Sequence, residues 1–162
     1  MKKNFLALLL LTFVLILPGC SSEENNHSSH DSEYISGDQI EETRGIAQLP
    51  SFLNNVDSSI QEVYKLAAEN DHVIANMACY CGCGDSVGHK SNRDCFIKEK
   101  KADGSIIWNS HAITCLNCQE IAAESIYLKK NTNKSLLEIR KIIDNKYKEG
   151  FAEPTPTPMP VD

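Results

Sequence analysis

The chain has 162 residues, seven of them cysteine, with 41% hydrophobic residues and a formal net charge of −6. The acidic balance argues against nucleic acid or an anionic membrane surface as a direct partner, since phosphate-rich surfaces are bound by lysine and arginine. With its ends set aside, the length suits one small domain, small enough that a staple or a metal would help it fold.

Residues 1–19 read as a signal peptide. Lys2 and Lys3 precede an apolar run of 13 residues, Phe5 to Leu17, in which Thr12 is the only polar side chain. A membrane-spanning helix needs roughly 20 such residues, so the run is too short for a permanent span. It ends in Leu17-Pro18-Gly19-Cys20, a lipobox-like sequence. Cleavage before Cys20 and acylation of that residue, palmitate among the acyl groups, are expected. Several acyl tails anchor stably where one is marginal. The predicted location is therefore the extracytoplasmic face of the cell membrane, with the membrane as a partner through the Cys20 lipid. Cleavage removes Lys2 and Lys3 and no acidic residue, which takes the charge from −6 to −8.

Residues 20–48 are rich in Ser, Asn, Glu and Asp. Such a stretch buries too little apolar surface to offset its ordering entropy and reads as a disordered tether. His27 and His30 fall within it and read as solvated side chains.

Residues 49–150 are expected to form a cysteine-rich domain, mainly α within the α+β class. Pro50-Ser51 reads as a helix start. Val56, Ile60, Val63, Tyr64 and Ala67 then recur as one apolar stripe, with Asp57 or Ser58 as the cap and Asn70-Asp71 as the end. The glycines Gly82, Gly84 and Gly88 predict an irregular, tightly curling loop over 78–95. Asp103-Gly104, between Phe96-Ile97 and Ile106-Ile107-Trp108, predicts one β-hairpin. Thr114 is placed to cap a helix with Cys115, Cys118, Ile121, Ala122, Ser125 and Leu128 on one side. Ser135-Leu136-Leu137-Glu138 is a capping-box pattern opening a last helix, with Leu136, Ile139, Ile143 and Tyr147 inward and Gly150 beyond its end. Residues 151–162 alternate Pro154, Pro156, Pro158 and Pro160, the pattern of an extended spacer.

The chemistry lies in the cysteines. Cys79-x-Cys81-x-Cys83 delivers three thiols from one short loop, at low chain-entropy cost to a soft metal ion. Cys115-x-x-Cys118 presents two more from the first turn of a helix, where unpaired amides favour thiolate. Convergence of Cys81, Cys83, Cys115 and Cys118 is expected, with Cys79 and Cys95 as further ligands or a flanking disulfide. His89 and His111 are within reach as imidazole ligands. Zinc or copper(I) suits such a set. Two other readings stay open: a disulfide framework that staples a surface interaction module, since the compartment permits it, and dithiol exchange at Cys115 and Cys118. No catalytic residues are assigned. There is no Ser-His-Asp pattern, no phosphate-binding glycine loop and no H-E-x-x-H helix.

The run Ala78-Cys79-Tyr80-Cys81-Gly82-Cys83-Gly84 resembles the signature of the PCYCGC-motif lipoproteins. The likeness continues through Gly88-His89-Lys90-Ser91-Asn92, Asp94-Cys95-Phe96, Asp103-Gly104, His111, Cys115-x-x-Cys118 and Ser135-Leu136-x-Glu138-Ile139-Arg140. Ala78 stands where the motif has proline, which removes no ligand. The resemblance implies a bacterial surface lipoprotein and no particular reaction. The metal reading rests on thiol chemistry alone.

Overall fold

The computed structural model describes residues 33–35 and 37–161. The expected signal peptide, Cys20, His27 and His30 lie outside them. Among the described residues no helix is long and apolar enough to cross a membrane.

The fold is a small α+β domain: helices packed on one antiparallel sheet of order β1-β2-β4-β3. The predicted hairpin is present as β3 (Ile97–Lys100) and β4 (Ile106–Asn109). It is half of the sheet. β1 (Glu33–Ile35) and β2 (Asp38–Thr43) form a second hairpin, and β2 pairs with β4 from Ile40↔Asn109 to Thr43↔Ile106. Both of these strands fall in the stretch read as a tether. DQIEET has a single strongly apolar residue, Ile40, so alternation is nearly invisible in it. Partners found far along the chain hold it instead. Trp108 Nε1 donates to Thr43 Oγ1 at 2.8 Å. The Glu41 carboxylate accepts from the Ser51 amide at 2.8 Å and from its hydroxyl at 2.6 Å, tying β2 to the 3-10 turn Ser51–Leu53.

α1 (Ser58–Glu69) begins at Asp57, whose carboxylate accepts from the Ser59 amide at 2.8 Å. Its Tyr64 is fully buried. It meets Phe96 edge to face at 5.0 Å and donates to the Asn109 carbonyl at 2.9 Å, joining helix to sheet. Aromatic pairs of this kind add about 0.5–1.5 kcal/mol beyond area burial. α2 (Asp71–Ile74) leads toward the cysteine loop. α4 (Leu116–Asn131) is the central helix and packs against α1, α2 and α5 (Leu136–Lys146). Its N-cap is Cys115 and not Thr114, and the Cys115 side chain makes no capping bond. The capping box of α5 forms as its sequence predicts, with Ser135 and Glu138 exchanging hydrogen bonds. Ile139, Ile143 and Tyr147 turn inward.

Two further segments differ from their sequence expectation. The 78–95 stretch is not irregular throughout. It holds a one-turn helix α3 (Cys83–Val87) between Gly82 and Gly88, at φ 84° and 76°, then a 3-10 turn Asn92–Cys95. The left-handed glycines let the chain enter and leave so short a helix without a Cβ clash. The proline-rich tail is extended, yet it is not a free spacer. It crosses the cysteine loop: the Cys79 amide donates to Thr155 Oγ1 at 2.8 Å, and the Thr155 amide returns a bond to the Cys79 carbonyl at 2.9 Å. Thr157 Oγ1 donates to the Lys90 carbonyl at 2.6 Å. The nearly buried Arg140 guanidinium donates to the carbonyls of Asn76, Thr157 and Pro158. The prolines have no N–H to donate, and Thr155 and Thr157 between them make side-chain hydrogen bonds to the cysteine loop.

Thr155→Val keeps the shape of residue 155 and leaves the buried Cys79 amide without an acceptor. The expected loss is about 1–3 kcal/mol of unfolding free energy, measured by denaturant titration of the reduced protein. A loss below the error of that titration would show that the tail does not hold the loop.

Candidate metal centre

The segments that carry the centre are placed by identifiable contacts. In Cys79-Tyr80-Cys81, Tyr80 stacks at 5.5 Å on Tyr147, the C-cap of α5, and donates to the Asp144 carboxylate at 2.6 Å. With Tyr80 held there, Cys79 and Cys81 bring their sulfurs to 3.5 Å from one another. Cys83 opens α3, Cys95 ends the 3-10 turn, and Cys115 and Cys118 occupy the start of α4. The buried Asn92 side chain donates to the Cys118 carbonyl at 3.1 Å and fastens the 3-10 turn to α4.

All six sulfurs converge as free thiols, and no disulfide joins them. Cys118 is the hub: its sulfur lies 3.2 Å from Cys79, 3.2 Å from Cys95 and 3.7 Å from Cys81. Cys95 lies 3.8 Å from both Cys79 and Cys83. Two thiolates on one tetrahedral zinc, each bonded at about 2.3 Å, are about 3.8 Å apart. The spacing therefore fits shared ions once the two shortest contacts, Cys118 with Cys79 and with Cys95, widen by about 0.6 Å. Donor atoms fall within 4.8 Å of one another in overlapping groups: Cys81, Cys115 and Cys118; Cys79, Cys81 and Cys83; Cys79, Cys95 and Cys118; and Cys83, Cys95, His89 and His111. Cys79 and Cys95, expected as further ligands or a flanking disulfide, are fully buried free thiols within the cluster.

The two histidines differ. His111 Nδ1 is 2.9 Å from the Asp38 carboxylate, an acceptor only, so the proton sits on Nδ1. Its Nε2 faces Cys81 Sγ at 3.9 Å and is a lone pair when the ring is neutral. A carboxylate behind an imidazole is the usual support of a metal-binding histidine. His89 has the opposite tautomer. The Asn109 amide is oriented by the His111 backbone N–H on its oxygen and the Asp94 carbonyl on its nitrogen. It therefore presents N–H to His89 Nε2 at 3.2 Å. The His89 proton is on Nδ1, directed at Cys95 Sγ 3.5 Å away. His89 donates to the Cys95 sulfur, whereas neutral His111 offers a lone pair. Asp38 and Asn109 have no motif to mark them: Asp38 lies in the polar tether-like stretch and Asn109 at the end of a strand.

Proton sharing within the cluster is unequal. Hydrogen bonding, first from Cys118, lowers the Cys79 pKa to about 4. Cys81 is lowered as well, Cys115 and Cys118 being the main donors. Cys118 is raised, through Cys115 and then Cys79, so it holds its proton for its neighbours. His111 is raised by the Cys81 sulfur and by Asp38, and His89 is lowered by burial and by His111.

These residues coincide with a known motif family. The family described as proteins of unknown function with a PCYCGC motif matches residues 8–160. The chain belongs to that family. No curated protein and no solved structure matches the chain.

Reactivity should follow exposure and thiolate character together. Cys81 is half-exposed and has a lowered pKa, whereas Cys115 is half-exposed with a raised one. Under native, metal-free conditions Cys81 is expected to alkylate first of the six, as timed by peptide mass spectrometry. Faster labelling of Cys95 or Cys118 would contradict the packing.

Proposed function

We propose that the domain binds zinc or copper(I) through this cysteine–histidine centre, and that Cys20 carries a lipid holding it at the extracytoplasmic face of the membrane. The observation behind the metal assignment is the convergence of six unbonded thiols at metal-bridging distances around Cys118. Thiolate and imidazole together suit these two soft or borderline cations better than oxygen-seeking ones. Cys79, Cys81, Cys83, Cys95, Cys115 and Cys118 supply sulfur, and His111 supplies nitrogen. His89 supports the Cys95 thiolate, and Asp38 orients His111. The anchor rests on the basic start, the short apolar run and the lipobox-like Leu17–Cys20 sequence.

The direct test is native mass spectrometry of anaerobically purified protein. It is expected to show metal bound to six reduced domain thiols. Disulfide-paired, metal-free protein that takes up no ion after reduction would remove the metal assignment. Asp38→Asn should weaken binding about 10–100-fold, as losses behind metal-bound histidines do.

Loading must displace protons from the thiols. Those on Cys83, Cys95, Cys115 and Cys118 are held above the ordinary thiol range. Acid therefore opposes binding: affinity should rise with pH through the neutral range and fall steeply below it. Competition titrations across that range, with proton release followed in weak buffer, measure this. A pH-independent affinity would exclude thiolate ligation.

The anchor has its own check. Cys20→Ser should leave a precursor that is neither acylated nor cut at this site, visible by detergent partitioning and intact mass. Normal maturation of the variant would exclude lipidation there.

A further inference from the structure

One tetrahedral ion takes four donors. The centre holds six thiols and, by its tautomer, the His111 Nε2 lone pair. A single ion would leave unused donors buried against it. The overlaps also single out Cys118, which makes the two shortest sulfur contacts, with Cys79 and Cys95, touches Cys81 as well, and groups with Cys115.

From this we infer that the centre is dinuclear, with the Cys118 thiolate bridging two tetrahedral cations of the zinc class. Cys81, Cys115 and His111 complete one ion. Cys79, Cys83 and Cys95 complete the other. The inference rests on the metal-binding reading above and adds the number of ions and the bridge.

The donors present meet the requirement. Two four-coordinate ions that share one sulfur need seven donor atoms, and the six thiols and His111 supply them. His89 is outside the set because its Nδ1 carries a proton toward Cys95. Charge points the same way. Six thiolates beside one dication leave a large buried negative charge, and a second dication halves it, where uncompensated buried charge is strongly unfavourable. The two sites also differ in access. Cys81, Cys115 and His111 are partly exposed, whereas Cys79, Cys83 and Cys95 are buried. The first ion is therefore the one placed to exchange with solvent or with a partner's thiolate.

The test is titration of the full, reduced chain with 113Cd²⁺ under anaerobic conditions, read by native mass spectrometry and by 113Cd NMR. The expected result is two ions per chain, with two resonances that show mutual cadmium–cadmium coupling through a shared sulfur. One ion at saturation overturns the dinuclear centre and leaves the metal reading standing. No bound ion overturns both. Two ions with uncoupled resonances overturn the bridge. Cys115→Ser, at the half-exposed edge, should weaken one ion by about 10-fold or more and spare the other. Equal weakening of both would overturn the assignment of Cys115 to one ion. Because the wild-type measurement stands alone, a variant that fails to fold does not leave the bridge untested.

Discussion

The cluster of unbonded sulfurs around Cys118 is the constraint on which the rest of the domain depends. Thiols gain little from one another, and thiolates repel, so the cluster cannot hold itself. Each sulfur is delivered by a segment anchored elsewhere. Tyr80, set against Tyr147 and Asp144, holds the Cys79–Cys81 segment from outside. Thr155 pairs with the backbone of Cys79 from the tail. Asn92 fastens the Cys95 turn to the start of α4. The helices and the sheet form the frame from which these anchors reach inward.

This explains why a chain end so rich in proline is ordered at all. The tail contributes neither helix nor sheet. Thr155 and Thr157 are nearly buried, and Arg140 donates to the Thr157 and Pro158 carbonyls in a stretch whose prolines have no N–H to donate. The same arginine donates to Asp144 at 2.7 Å, and Asp144 also accepts from Tyr80. One ion pair thus connects α5, the tail and the cysteine loop.

The sheet has a comparable part at the two histidines. β2 contributes Asp38, which fixes the His111 ring, and β4 ends at Asn109, which fixes the His89 ring. The two imidazoles meet edge to face at 4.8 Å, yet their supports give them opposite tautomers. A lone pair is available from one, and a hydrogen bond to sulfur from the other. An acidic strand with little apolar character is retained here because it orients a ligand.

Much of the helical scaffold was legible in the sequence, because it is written in local rules. Asp57, the Ser135–Glu138 capping box and the Leu136, Ile139, Ile143, Tyr147 stripe act within one or two helical turns. The Asp103-Gly104 hairpin needs only its neighbours. The six domain cysteines and two histidines were legible as a potential site because thiol chemistry is carried by residue type. What depended on distance along the chain was not legible. The pairing of Asp38–Thr43 with β4, the return of Thr155 onto Cys79, and the central burial of Cys79 and Cys95 are contacts between segments tens of residues apart, and no period or spacing encodes them. The sequence determined which atoms could bind a metal. Only the tertiary structure decided that Cys118 stands among the others, that His111 and His89 carry their protons on the side each neighbour imposes, and that a polar stretch resembling a tether becomes the strand that aims a histidine.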